Sequence, residues 1–147
     1  MTLGRNRLVW LFVAASCLVA STLLSRANDA PPSDDWKAPP RAARKTNPIP
    51  ADDNSIATGK NVYAHQCRSC HGDTGHGDGP RADDLSPSPH DLADPLVVRQ
   101  SDGALFWKIT EGRRPMPSFE KLTSEEQRWH VVNYIRTLAP PSSKPSD

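Results

Sequence analysis

Cysteine is scarce in this 147-residue chain, with Cys17, Cys67 and Cys70 the three it has. Cys17 lies in an apolar N-terminal run, which leaves a single pair, too few for a secreted scaffold stapled by disulfides. Aromatic residues are only 6% of the chain and hydrophobic ones 36%, so a protein core alone would be thin for a domain of this size. No segment sustains a period-two alternation of apolar and polar residues, which excludes a half-buried sheet and points to an all-α domain. An excess of one charge is missing too. The formal net charge is +1, and setting aside Arg5, Arg7 and Arg26 near the N-terminus leaves 15 basic residues against 17 acidic ones. That balance excludes a strong general field for nucleic acid, and no nucleic-acid partner is expected.

Long apolar runs are limited to one. It follows Arg5 and Arg7 and extends from Leu8 to Leu24, interrupted by Ser16, Cys17, Ser21 and Thr22. Its 17 residues fall between a secretory leader's apolar region and a full membrane span. Ser25-Arg26-Ala27 supplies small residues for cleavage before Asn28. Residues 1–27 therefore read as a signal peptide or, uncleaved, as a membrane anchor tethering the protein through residues 8–24. A lipoprotein cysteine at Cys17 is the third reading. All three send the rest of the chain across the cytoplasmic membrane, to the periplasm or the membrane's outer face.

Proline is plentiful, with 15 residues, and crowded between positions 28 and 53. It removes backbone donors and disfavours helix, so residues 28–53 are expected to form a Pro-rich flexible arm. Arg41, Arg44 and Lys45 make a small basic cluster on it, read as solvated. The folded domain is expected over residues 54–139, with a disordered tail over 140–147. Ile56, Gly59, Val62, Tyr63 and Cys67 recur at helical spacing behind an N-cap at Asn54 or Ser55. From Gly72 to Arg99 the chain is irregular, a length of loop that a compact domain tolerates when the loop wraps something. Ser101 caps a second helix ending at Glu111, with Gly112 beyond it. Thr123-Ser124-Glu125-Glu126 is a capping-box pattern, opening a third helix with Val131, Tyr134, Ile135 and Leu138 on one face.

Chemistry enters at Cys67-Arg68-Ser69-Cys70-His71. Two thiols three positions apart at a helix end can each add to one vinyl group of a haem, and the next histidine can ligate its iron. A zinc site would need further ligands at matching spacing, and a thiol-redox pair would expect a βαβ setting; neither is present. One covalently bound haem c is the expected cofactor, and it would help to fill the thin core. A second axial ligand is expected at Met116, which stands between Pro115 and Pro117, 45 residues after His71. His65, His76, His90 and His130 are read as surface histidines.

Gly59-x-x-x-Tyr63-x-x-x-Cys67-x-x-Cys70-His71-Gly72, Pro115-Met116-Pro117 and Val131-Val132-Asn133-Tyr134-Ile135-Arg136 together resemble the class I (His/Met) monohaem cytochromes c. They are similar in particular to the c-type subunit III of cbb3 oxidases. The resemblance covers about residues 55–139. It implies a small cytochrome c fold with crossed N- and C-terminal helices around one covalent haem, the helices meeting closely at Gly59 and Tyr134. It also implies that a proline carbonyl, best matched by Pro80, accepts the His71 Nδ1 proton, and Trp107 is a second tentative haem contact. With Met116 as sixth ligand the iron is closed to oxygen and peroxide, so the implied activity is one-electron transfer between respiratory or dehydrogenase partners. A peroxidase or a gas-binding sensor is the alternative if Met116 is labile. Arg99, Lys108, Arg113, Arg114 and Lys121 collect in the Met116 half, read as a solvated face, with a docking rim for redox partners as the sharper reading.

Overall fold

Proline at two successive positions opens the first helix among the described residues rather than preventing it. In the computed structural model, which describes residues 36–139, α1 (Pro40–Ala43) starts with proline at its first turn, where a missing N–H costs nothing. Five further helices follow: α2 (Asp53–Gln66), α3 (Arg68–His71), α4 (Pro95–Val98), α5 (Asp102–Glu111) and α6 (Glu125–Leu138). A 3-10 turn spans Ala82–Asp84. The described residues from Lys37 onward group as one compact unit. The described residues contain no named strand, only an isolated bridge between Arg113 and Met116, in line with the expected all-α class. Also among them, no helix is long and apolar enough to cross a membrane. The apolar run at 8–24 and the tail from 140 lie outside the described residues.

Each long helix is delimited by local chemistry. The α2 N-cap is Asp52, whose carboxylate accepts from Ser55 N at 2.8 Å, two residues earlier than Asn54 and three before Ser55. Ser55 is instead buried, 1% exposed, and spent on a tertiary contact. Ser101 caps α5 as expected, accepting from Ala104 N, and Gly112 ends it at φ +68°. The α6 capping box sits one residue later than the pattern suggested: Ser124 Oγ accepts from Gln127 N while Gln127 Oε1 accepts from Ser124 N.

α2 packs mainly on α6, and Gly59 is the reason they approach so closely. A Cβ there would stand 2.0 Å from the His130 carbonyl oxygen and 3.0 Å from Tyr134 Cβ, which only glycine avoids. One turn on, the Tyr63 and Tyr134 rings meet at 5.1 Å, tilted by 59°. The apolar core lies on the other side of α6, where Trp129 stacks on Phe106 at 3.9 Å with Leu105, Ile109, Phe119, Val131, Val132 and Ile135. Burying each aliphatic member is worth about 1.5–3 kcal/mol.

The segment expected to be a flexible arm is docked over residues 42–50. Ser101 Oγ donates to the Ala43 carbonyl at 2.6 Å, Lys45 pairs with Glu125 at 3.8 Å, and α1 lies where a side chain at Gly103 would collide with Ala42 and Lys45. Asn47 Nδ2 donates to Asn133 Oδ1 at 2.8 Å, and Asn133 Nδ2 points back to Ile49 O, Pro50 O and Ser55 Oγ. Proline stiffness reduced the entropy this segment had to lose, so a few hydrogen bonds hold it down. His130, expected on the surface, belongs to the same network. Its Nδ1 is 2.8 Å from Ser55 Oγ and its side chain is only 12% exposed.

Candidate functional site

Cys67 closes α2 and begins the α3 turn, so Cys67, Cys70 and His71 share one short stretch of helix held from two directions. From below, the buried Tyr63 hydroxyl donates to the Gly72 carbonyl at 2.8 Å. From the side, the loop that follows returns along the turn. Gly77 N donates to His71 O, Gly79 N to Cys70 O and Arg81 N to Ser69 O, at 2.9, 3.2 and 2.9 Å. Pro80 lies between the last two donors. The irregular loop thus wraps the motif turn itself.

The electrostatics of the turn separate the available chemistries. Both cysteines are free and half-buried. Burial, then the neighbouring Cys70, pushes the Cys67 thiol up to about 12. A redox-active Cys-x-x-Cys needs an attacking thiol of lowered pKa, and Cys67 is shifted the opposite way. Burial also pushes the His71 ring below the usual histidine range; a hydrogen bond to the His90 carbonyl opposes that shift, and the nearby His90 ring adds to it. Neutral imidazole is the form that carries a lone pair for a metal. Two free thiols three positions apart and a neutral imidazole on one turn are the donor set a covalently held haem requires, and the residues fit that group.

The ring partner of His71 differs from the expectation. Its Nδ1 lies 3.3 Å from the His90 carbonyl, so the bond assigned to Pro80 is made by His90. No residue-type signal could have marked it, because the acceptor is backbone.

Met116 stands on a separate loop anchored to the end of α5. Met116 N donates to Arg113 O at 2.9 Å, Ser118 Oγ to Thr110 O at 2.6 Å, and Phe119 N to Ile109 O at 3.2 Å. Met116 is half-buried against the edge of the apolar core. The loop borders a cleft of about 720 Å³, lined by Ser86 and residues 111–118 and by none of Cys67, Cys70 and His71. Trp107 is half-buried in α5. Of the five basic residues expected on a solvated face, Lys108 is 9% exposed and lies on the buried side of α5. No group of three or more His, Cys, Asp or Glu side chains among the described residues could hold a metal ion by itself.

A helical domain of this kind, with a Cys-x-x-Cys-His turn at the end of one long helix and a second long helix packed at its glycine, is of the cytochrome-c-related class. The chain belongs to the family described as cytochrome c oxidase, cbb3-type, subunit III, whose model matches residues 54–135. Among solved structures it is similar to a chain of the reducing HAO-like protein complex of Kuenenia stuttgartiensis. The identity is 30% and the TM-score 0.59, with 63% of this chain and 47% of that one covered. The chain thus spans about half the length of that relative. No curated protein matches the sequence. Membership places the chain among proteins related to cytochromes and electron transfer.

Proposed function

We propose that this protein is a single-electron carrier, a monohaem c-type cytochrome with thioether links to Cys67 and Cys70 and axial ligation by His71 and Met116. The observation that carries the reading is the α3 turn, where two free thiols and a neutral imidazole are held ready by Tyr63 and the returning loop. Bound there, the haem would supply a one-electron Fe(III)/Fe(II) couple. His71 directs its Nδ1 toward the His90 carbonyl, leaving Nε2 as the ligating atom. Met116 is offered by a loop fastened to α5 at two points, Thr110 and Ile109, and a thioether ligand raises the potential relative to a second histidine. Trp107 is the further contact assigned to the haem. With both axial positions filled by protein, the role is outer-sphere transfer rather than catalysis on a substrate.

Redox proteins outside the cytoplasmic membrane are the partners this reading requires. Such encounters use small transient interfaces. A relative that is part of a complex supports a similar association here, and residues 8–24 are the proposed leader or membrane tether. The test is direct. Haem should stay on the polypeptide after denaturation in acid–acetone, and Met116→Ala should remove the far-red iron–sulfur band and lower the midpoint potential. Haem that extracts freely would overturn the attachment, and a normal band in Met116→Ala would place the sixth ligand elsewhere.

A further inference from the structure

One loop grips His71 at two points that are far apart in sequence. The His71 carbonyl accepts from Gly77 N at 2.9 Å, and its ring Nδ1 faces the His90 carbonyl at 3.3 Å. Two further bonds tie these grips together. Leu92 N donates to the Gly75 carbonyl at 2.7 Å, and His76 Nδ1 lies 3.0 Å from Asp91 Oδ2. The other Asp91 oxygen accepts from Ala93 N at 2.7 Å, so the carboxylate is fixed at both ends. The His90 carbonyl and the Asp91 amide belong to one planar peptide unit. Rotation of the backbone at Asp91 therefore swings the acceptor away from the His71 ring.

The geometry points to the His76–Asp91 pair as a positioning clasp that holds the His90 carbonyl on His71 and so tunes that ring as an iron ligand. This rests on the proposed haem ligation by His71. Neither clasp residue is among the proposed ligands. Their side chains are 54% and 41% exposed, so the pair adds little to global stability. Its effect is local. A ring N–H given to a firm acceptor makes imidazole a more basic ligand, which favours ferric iron; loosening the acceptor favours ferrous iron.

The experiment is redox titration of the full-length, haem-loaded protein at pH 6, comparing wild type with His76→Gln, Asp91→Asn and the double variant. Each single variant is expected to shift the Fe(III)/Fe(II) equilibrium severalfold toward ferrous iron, tenfold being 59 mV for one electron. The double variant should shift no further than either single one, because one pair is broken in each case. Solvent exchange of the His71 Nδ1 proton should quicken in all three, with the iron–sulfur band and far-UV circular dichroism unchanged. Through-space charge alone acts differently. Losing the His76 cation would favour ferric iron and losing the Asp91 anion ferrous iron, with Asp78, which also faces His76, intact in both. Shifts of opposite sign, or unmoved potentials, would overturn the clasp while leaving the haem reading standing. A wild-type protein without attached haem would overturn both.

Discussion

Gly59→Ala is the sharpest test of how the two long helices meet. The added methyl would stand 2.0 Å from the His130 carbonyl oxygen and 2.6 Å from its carbon, both backbone atoms. Carbon–oxygen contacts close to no less than about 3.3 Å, so α6 must retreat by roughly 1 Å or more at this point. Intrinsic helix propensity favours alanine by about 1 kcal/mol. Against that gain, retreat loosens the Tyr63–Tyr134 contact, worth about 0.5–1.5 kcal/mol. It also stretches the two 2.8 Å bonds that Ser55 makes to Asn133 and His130, worth about 1 kcal/mol each. The balance is a net loss of about 2 kcal/mol. For a domain of about 100 residues that lowers Tm by roughly 8–16 °C. Thermal and urea unfolding followed by far-UV circular dichroism would read it. Lys60→Ala, exposed on the same helix, serves as the control and should stay within about 0.5 kcal/mol of wild type. A Gly59→Ala variant as stable as wild type would refute the close approach.

Tyr63→Phe should cost about 1–3 kcal/mol in urea unfolding, because it leaves the buried Gly72 carbonyl without its partner; unchanged stability would mean that carbonyl is satisfied elsewhere. Limited proteolysis of the wild type should spare residues 42–50, and Asn47→Ala should open that stretch to cleavage by removing its bond to Asn133. Cutting of the wild type between 42 and 50 would contradict the docked segment. The His76–Asp91 pair should give a pH-dependent loop. The Asp91 hydrogen bond and then its charge raise the His76 pKa, so the pair is complete below about 6.5 and fades as pH rises through the raised value. For Asp91, burial is the largest influence and acts upward, but the His76 and Ala93 hydrogen bonds and the His76 charge outweigh it and leave a lowered pKa. The pair is therefore lost again only as pH falls below the ordinary carboxylate range, about 3.9. Protection of the Leu92 amide, bonded to Gly75 O, relative to its intrinsic exchange rate should be greatest between about pH 4 and 6.5; a protection factor that does not vary with pH would show that the pair does not hold the loop.

Much of this was legible in the chain because it depends on neighbours in sequence. Helical spacing, the Ser101 cap and the Cys67–His71 motif are local patterns, and local chemistry sets them whatever the tertiary context. Gly59 was readable as a point of close approach since a glycine on a buried helical face has few other uses. Other features depended on distant partners. Residues 42–50 looked like a solvated arm because proline content says what a segment cannot form, not what it can rest on. Nothing in the sequence links Asn47, Ser55, His130 and Asn133 to one another, and only the packing of α2 against α6 brings them together. Lys108 and His130 were placed at the surface by residue type, and helix orientation buried them instead. The five residues of the Cys-x-x-Cys-His turn fixed which donors are present. Which carbonyl faces the His71 ring is decided by a loop that closes on itself some twenty residues later. Chain geometry rather than side-chain identity determines where a backbone acceptor comes to rest.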